Sequence, residues 1–228
     1  MLATGNADKA REFLEQITDY TSHELTASAI EFNQTVYGFL VATDAQHSSA
    51  VAPRLTTVPD VDETGTTLEA NARIKAAGMC AATGLTAIAD DTGLHVDALG
   101  GEPGVWSARF AGVNATYAEN VEKLMSELVR VAALEPHERT ARFETVIHVA
   151  APDGTHETVV GSVEGTISNA ARGLGTFGYD PVFVPDDGDG RTFAEMTTSE
   201  KHALSHRGRA FRNLLESCSI AVEIPDES

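Results

Sequence analysis

The sequence predicts an α/β fold with a mixed β-sheet, and two patterns lead to this prediction. Residues 68–82 are rich in alanine, contain no proline and are followed by a glycine, which is typical of a helix that ends before the apolar strand of residues 86–89. Residues 142–149 and 158–167 have the β-branched content of strands, and a turn at 153–156 separates them. The second pattern predicts an antiparallel pair.

The N-terminal part begins with a predicted short strand, a loop and a helix. Apolar residues at positions 10, 13, 14 and 17 recur at helical spacing, which makes residues 4–9 the loop. Strands are predicted further on, near residues 26–32 and 37–43.

The centre of the chain places two adjacent carboxylates, Asp90 and Asp91, after the strand of residues 86–89. Gly93 follows them, so a turn is predicted at the end of this strand, with a second strand over residues 94–99.

Two more helices complete the predicted elements. Thr116 and Glu119 have the spacing of a capping box, which predicts that a helix begins there. Its apolar residues share one face, namely Val121, Leu124, Met125, Leu128 and Ala132. The last helix is predicted over residues 207–218.

Composition and charge exclude several classes of function. The 228 residues are 42% hydrophobic and 22% charged, which is ordinary for a globular protein, and we expect a single domain over residues 1–228. No apolar run approaches the roughly 20 residues of a membrane-spanning helix. The formal net charge of −18 argues against nucleic-acid binding. With only Cys80 and Cys218 and no secretory signal in MLATGN, we expect a cytoplasmic protein without a disulfide framework.

Residues 4–9, TGNADK, place Gly5 and Asn6 at a strand-to-helix turn with Lys9 nearby. Free backbone N–H groups and the positive end of a helix favour an anion such as phosphate. An asparagine-capped helix with a surface lysine gives the same pattern.

The pair of Asp90 and Asp91 suggests a metal site, because like charges in contact repel each other unless a cation offsets the repulsion. A hard cation such as Mg²⁺ binds few protein carboxylates and leaves positions for water and substrate phosphate. Asp60, Asp62 and Glu63 precede a predicted helix and could complete such a site. A turn capped by one carboxylate remains the alternative.

Two later segments offer groups for a nucleoside. In GLGTFGYDP, residues 173–181, either Phe177 or Tyr179 could present a flat face to a base, or serve only as a local core residue. EKHALSHRGRAF supplies Lys201, His206 and Arg207, which suit phosphate or a carbonyl oxygen and are also compatible with plain surface charge.

Four segments are decisive when taken together: TGNADK at 4–9, ETGTTLEANARIKA at 63–76, ADDTGLHVDALGGEPGVWSARFAG at 89–112, and GTFGYDPVF through EKHALSHRGRA at 175–210. In this order they resemble the inosine triphosphate pyrophosphatase family. The resemblance implies hydrolysis of inosine, deoxyinosine and xanthosine triphosphates to the monophosphate and pyrophosphate, with Mg²⁺, in a homodimer. It also implies an elongated, twisted mixed sheet flanked by helices, in two lobes with the active-site cleft between them.

The resemblance also assigns roles to residues. Asp91 is expected to bind the metal and accept a proton, with Asp90 beside it, and Lys75 to lie near the phosphates. Either Asp62 or Glu63 is expected to complete the metal site. The residues expected to bind the nucleotide are Thr4, Gly5, Asn6, Ala7, Asp8, Lys9, Thr92, Phe177, Gly178, Tyr179, Asp180, Lys201, His206 and Arg207.

Base selectivity has a simple physical form. Hydrogen-bond donors from His206 or Arg207 would match the C6 carbonyl of hypoxanthine or xanthine and oppose the amino group of adenine. A pyrophosphatase for other modified nucleotides and a catalytically silent nucleotide-binding regulator remain alternatives. Magnesium-dependent pyrophosphate release separates an enzyme from such a regulator.

Overall fold

The computed structural model describes residues 61–174 and 177–217. The predictions for residues 4–9, for the strands near 26–32 and 37–43, and for Asp60 and Cys218 lie outside these ranges.

Four helices lie in the described residues. Helix α1, Leu68–Thr83, begins after the N-cap Thr67 and ends at Gly84, whose φ of 67° is the left-handed conformation that glycine adopts readily. Helix α2, Tyr117–Arg130, begins with both hydrogen bonds of the predicted capping box. The other two are α3, Thr198–Leu204, and α4, His206–Ser217. Both predicted helix starts, at 68 and after 116, are confirmed, whereas the short α3 was not predicted.

Within the described residues, five strands form one sheet in the order β2-β1-β3-β4-β5. They are β1 Ala87–Val96, β2 Pro103–Gly104, β3 Thr140–Ala150, β4 His156–Ile167 and β5 Phe183–Pro185. All neighbouring pairs within the described residues are antiparallel, including the predicted pair of β3 and β4. The predicted mixed sheet therefore has no parallel pair in this part of the chain.

The prediction of a turn at Asp90 and Asp91 is wrong. Strand β1 runs without a break through both residues and pairs with β3 along its whole length, from Ala87 opposite Ala150 to Val96 opposite Ala141. The separate strand predicted at 94–99 is the second half of β1, followed by a short 3₁₀ turn. Gly93 continues the strand by pairing with Glu144 of β3. Gly104 of β2 lies so close to Gly93 that a Cβ atom there would be 2.7 Å from its carbonyl oxygen, so this position has no room for a side chain.

Helices cover both faces of the sheet. On one face, Leu68 and Ala72 of α1 pack against Val146 of β3. On the other face, Phe211 and Leu214 of α4 pack against Ile147, the next residue of β3. Successive side chains of a strand point to opposite faces, so β3 carries one contact to each helix.

A glycine on β4 determines how closely α4 approaches. A Cβ atom at Gly161 would overlap the backbone of α4 at His206 and Ala210. The first turn of α4 consequently lies directly on strand β4. None of the helices in the described ranges combines the length and apolar character that crossing a membrane requires.

Candidate active site

A first group of polar residues, the Asp91 cluster, comprises Asp91, Lys75, Glu63 and Asn71. The Nζ atom of Lys75 lies 3.1 Å from Oδ1 of Asp91 and 3.2 Å from Oε1 of Glu63. The side chains of Lys75 and Asp91 are 13% and 10% exposed, whereas that of Glu63 is 34% exposed. One ammonium group thus joins two carboxylates at the edge of the solvent.

Charge around Lys75 keeps it protonated. Burial on its own lowers the pKa of a lysine, but the neighbouring Asp91, Asp90 and Glu63 reverse this effect and raise the pKa of Lys75 above its ordinary value. Lys75 is therefore a permanent cation at neutral pH.

Helix α1 positions this cluster through residues four apart. Asn71 and Lys75 lie on the same face of α1, where i and i+4 side chains are neighbours. The amide of Asn71 donates to Oδ2 of Asp91 at 3.3 Å, and its own oxygen accepts the backbone N–H of Gly65 at 2.8 Å. Asn71 thereby ties the segment that carries Glu63 to strand β1.

Arg109 extends the cluster on the side of Glu63. Its guanidinium lies 3.9 Å from Oε2 of Glu63 and stacks over the ring of Trp106 at 4.5 Å from the centroid. Glu63 therefore has two cations beside it, Lys75 and Arg109.

A second group, the Phe177 cluster, comprises Phe177, Lys201, Asp180, Arg207 and Asp90. The ring of Phe177 has Lys201 Nζ 5.0 Å and the Arg207 guanidinium 6.0 Å from its centroid. Lys201 donates to Oδ2 of Asp180 at 2.6 Å, and Nη2 of Arg207 lies 3.3 Å from Oδ2 of Asp90. Each cation at the aromatic ring therefore has its own buried carboxylate.

Two predicted site residues have rings packed in the core. The ring of Tyr179 is buried, and its hydroxyl donates to the carbonyl of Ser107 at 2.9 Å, so of the two aromatic candidates Tyr179 has the core position. Burial also raises the pKa of Tyr179. His206 is buried and stacks on Phe143, with 4.5 Å between the ring centroids.

The two clusters meet at strand β1. The prediction that Asp90 and Asp91 are like charges in contact is wrong, because consecutive strand residues project to opposite faces of the sheet. Asp91 faces α1 and belongs to the first cluster, while Asp90 faces α4 and belongs to the second. The ten predicted site residues brought into or beside these clusters are Glu63, Lys75, Asp90, Asp91, Thr92, Phe177, Asp180, Lys201, His206 and Arg207.

The remaining predicted site residues are Asp62, Gly178 and residues 4–9. Asp62 is exposed, whereas its neighbour Glu63 carries the contact to Lys75. Gly178 lies in the turn next to Phe177, with a φ of 53°. Residues 4–9 are outside the described ranges.

The donor set of the Asp91 cluster fits a divalent cation. Oxygen atoms of Asp91 and Glu63 both lie within 3.2 Å of one positive group, so a hard cation could share them with ligand oxygens. Within residues 61–174 and 177–217, no group of three or more acidic, histidine or cysteine side chains is arranged to hold a metal. Two carboxylates with the remaining positions left to water and substrate are characteristic of Mg²⁺.

Sequence reasoning missed Asn71, Arg109 and Thr145, each of which contacts a residue of the clusters or Thr92 beside them. Asn71 could have been found from its i, i+4 spacing to Lys75 on a predicted helix. Arg109 and Thr145 are brought in by tertiary pairing, for which the local sequence carries no signal.

Comparison with known proteins identifies close relatives. The sequence profile of the Ham1 family matches residues 1–217. A dITP/XTP pyrophosphatase of Streptomyces coelicolor is 47% identical over 158 residues, which cover 69% of this chain and 77% of that protein. A dITP/XTP pyrophosphatase of Streptococcus pyogenes is 49% identical over 159 residues, 70% of this chain, which spans only about half (48%) of that longer relative.

A solved structure shares the fold. The nucleoside-triphosphatase, or dITP/XTP pyrophosphatase, of Mycobacterium abscessus has 37% sequence identity and a TM-score of 0.65, and the match covers 95% of this chain and 97% of that one. The range matched by the family profile includes every residue of both clusters.

Proposed function

The chain belongs to the Ham1 family, and from that premise we propose that it is a pyrophosphatase for dITP, ITP and XTP, which it hydrolyses to the nucleoside monophosphate and pyrophosphate. The observation that carries the proposal is the position of Asp91. Its carboxylate accepts hydrogen bonds from Lys75 and Asn71 on one face of β1. The preceding residue, Asp90, belongs to the Phe177 cluster on the other face. A phosphate-handling group and a base-binding group thus adjoin on one strand.

The Asp91 cluster supplies the chemistry at the phosphates. An Oδ atom of Asp91 accepts the proton of the attacking water, and Lys75 Nζ neutralises charge that develops on the departing pyrophosphate. Lys75 suits this task because its raised pKa keeps the ammonium charged. Residues 4–9, with Lys9, complete the phosphate site in this proposal.

Asp91 and Glu63 would hold Mg²⁺. The ion supplies charge neutralisation to the phosphate oxygens when it is bound. This role also answers the electrostatic objection that a chain with a formal net charge of −18 should repel a triphosphate.

The Phe177 cluster supplies recognition of the base. Stacking on the ring of Phe177 attracts any base, because every base presents a π face. Lys201 and Arg207 carry donors and no acceptors, so they favour the C6 carbonyl of hypoxanthine or xanthine over the amino group of adenine. Recognition built on such donors can discriminate by about 10⁴ or more.

The assembly and location follow from the same premise. We infer a single domain over residues 1–228, divided into two lobes with the site in the cleft between them, and a homodimer that acts in the cytoplasm. Equilibrium sedimentation of the whole chain tests the dimer.

Pyrophosphate release tests the proposed function. ITP, dITP, XTP and ATP are each incubated with the whole protein, with Mg²⁺ and with a chelator, and pyrophosphate is measured. We expect pyrophosphate release from ITP, dITP and XTP in the presence of Mg²⁺, and none from ATP or in the presence of the chelator. Equal release from ATP would contradict the base assignment, and no release from any nucleotide would contradict the enzyme assignment.

A further inference from the structure

The side chains of Asp90 and Arg207 form the most deeply buried ion pair among those described, at 3% and 2% exposure. A buried guanidinium without a counter-charge is strongly unfavourable, because desolvation is then uncompensated. Asp90 therefore supplies a buried counter-charge to Arg207, on the face of the sheet opposite to the Asp91 cluster.

Thr92 joins this pair through its hydroxyl group. Arg207 Nη2 lies 3.2 Å from Oγ1 of Thr92, and that hydroxyl lies 3.3 Å from Oδ2 of Asp90. A hydroxyl has one proton to donate and two positions to accept. Arg207 fills one accepting position, and Asp90 receives the proton.

Thr145 completes the hydroxyl's bonding. It lies opposite Thr92 in the register of β1 and β3, is fully buried, and has its Oγ1 atom 2.8 Å from that of Thr92. Because the proton of Thr92 goes to Asp90, the donor between the two hydroxyl groups is Thr145. The four residues then form one directed chain, from Thr145 through Thr92 to Asp90, with Arg207 donating to the last two.

We propose that Asp90, Thr92 and Thr145 are positioning residues that hold the guanidinium of Arg207 beside Phe177, and that Asp90 takes no part in the metal site. This inference rests on the proposed function, because it assigns these residues to base binding. The adjacent aspartates then have separate tasks, Asp91 in the chemistry at the phosphates and Asp90 in the affinity for the base.

The main test removes one hydroxyl and leaves every charge in place. Thr145→Val has nearly the same shape as threonine, and Thr145→Ser keeps the donor. Thr140→Val is the matched control, because Thr140 lies on the same strand and its hydroxyl donates to Asp97 at 2.6 Å, away from both clusters. For each variant, kcat and KM for ITP, the half-saturating Mg²⁺ concentration, and the Kd for inosine monophosphate without metal are measured.

Loss of one buried hydrogen bond corresponds to about a threefold to tenfold change in affinity. We expect Thr145→Val to raise KM and the metal-free Kd by this factor, with kcat and the Mg²⁺ requirement within about twofold of the original protein. Thr145→Ser should restore both constants, and Thr140→Val should change neither. A general loss of packing would lower the active fraction, and with it apparent kcat, without this selective effect on KM.

The folded Asp90→Asn variant supplies an independent test of the positioning role. The positioning role predicts a larger increase in KM with the Mg²⁺ requirement unchanged, whereas a metal ligand would shift the Mg²⁺ requirement. Unchanged KM and Kd in Thr145→Val would overturn the inference while the original protein still hydrolyses ITP. If the original protein releases no pyrophosphate from ITP, the proposed function fails first and this inference with it.

Discussion

Asp90 and Asp91 are neighbours in the chain but form ion pairs on opposite faces of the sheet, Asp90 with Arg207 and Asp91 with Lys75. Strand geometry separates them, since consecutive side chains project in opposite directions. The two aspartates therefore pair with different cations, which are carried by different helices. One stretch of strand β1 thus contributes Asp91 to the first cluster and Asp90 to the second.

Replacing Asp91 by Asn should lower kcat for ITP by about 10²–10⁴, because the amide cannot accept the proton of the attacking water. The fold should persist, since Lys75 keeps its contact with Glu63. Steady-state kinetics and thermal melting measure both effects. Asp97→Asn, an exposed position on the turn after β1, is the control, and near-normal turnover by Asp91→Asn would refute the assignment.

Replacing Lys75 by Met should have two opposite effects. Loss of a cation that stabilises developing charge should reduce kcat by about 10²–10³. The same change removes the ammonium between Asp91 and Glu63, so Mn²⁺ should bind more tightly to the protein without nucleotide.

Mn²⁺ binding followed by electron paramagnetic resonance measures the second effect without reference to activity. Lys123→Met, on the exposed side of α2, should leave Mn²⁺ binding unchanged. Weaker Mn²⁺ binding by Lys75→Met would show that the two carboxylates do not form the metal site.

Replacing Phe177 by Ala should weaken the binding of all nucleotides to a similar extent, whatever their base. Loss of base stacking corresponds to about 1–3 kcal/mol, or about fivefold to 150-fold in KM. The ratio of kcat/KM between ITP and XTP should stay within about twofold of its value in the original protein, because the ring makes no hydrogen bond to the base. Phe177→Tyr retains a ring and should stay near the original KM. A change of selectivity in Phe177→Ala would mean that the ring orients the donors as well.

Replacing Gly161 by Ala should destabilise the protein and weaken nucleotide binding together. The added Cβ would overlap the backbone of α4 at His206 and Ala210, and α4 carries Arg207 in its first turn. Overpacking of this kind costs about 1–3 kcal/mol or more. Ser162→Ala, the next residue of β4, is the matched control. Thermal melting and KM for ITP are measured on both variants, and an unchanged Tm for Gly161→Ala would contradict the close approach.

Local sequence signals predicted a good part of this fold. The capping box at Thr116, the glycine stop at Gly84 and the β-branched strands β3 and β4 all act over a few residues, so they were readable without tertiary information. The prediction that the strand ends at Asp90 and Asp91 was wrong because acidic residues and glycine disfavour strands only weakly. Pairing with β3 on one side and β2 on the other overrode that local preference.

The candidate site divides in the same way. The residue types suited to phosphate and base were visible as motifs, but their partners were not. That Asp90 faces Arg207, 117 positions later, depends on how α4 packs on the sheet. Thr145 contacts Thr92 only through the register of β1 and β3. Such contacts become visible only when the strands are aligned.

His148 makes stability depend on pH in a defined direction. It is buried on β3, 2.7 Å from the hydroxyl of Thr158, and burial lowers its pKa, with further lowering by His156 and Arg73 and a smaller opposing effect of Glu69. Between its lowered pKa and the ordinary value of 6.5, the unfolded chain binds more protons than the folded one. Stability should therefore fall as pH decreases below about 6.5.

Thermal melting from pH 7.5 to 5.5 tests this dependence on His148→Asn, which keeps a polar partner for Thr158 and cannot be protonated in this range. We expect the variant to lose less Tm on acidification than the original protein. Some loss should remain, because burial also lowers the pKa of His95. His137→Asn, at an exposed position, should show the same change of Tm with pH as the original protein. If His148→Asn and the original protein show the same slope, the protonation of His148 is not linked to folding.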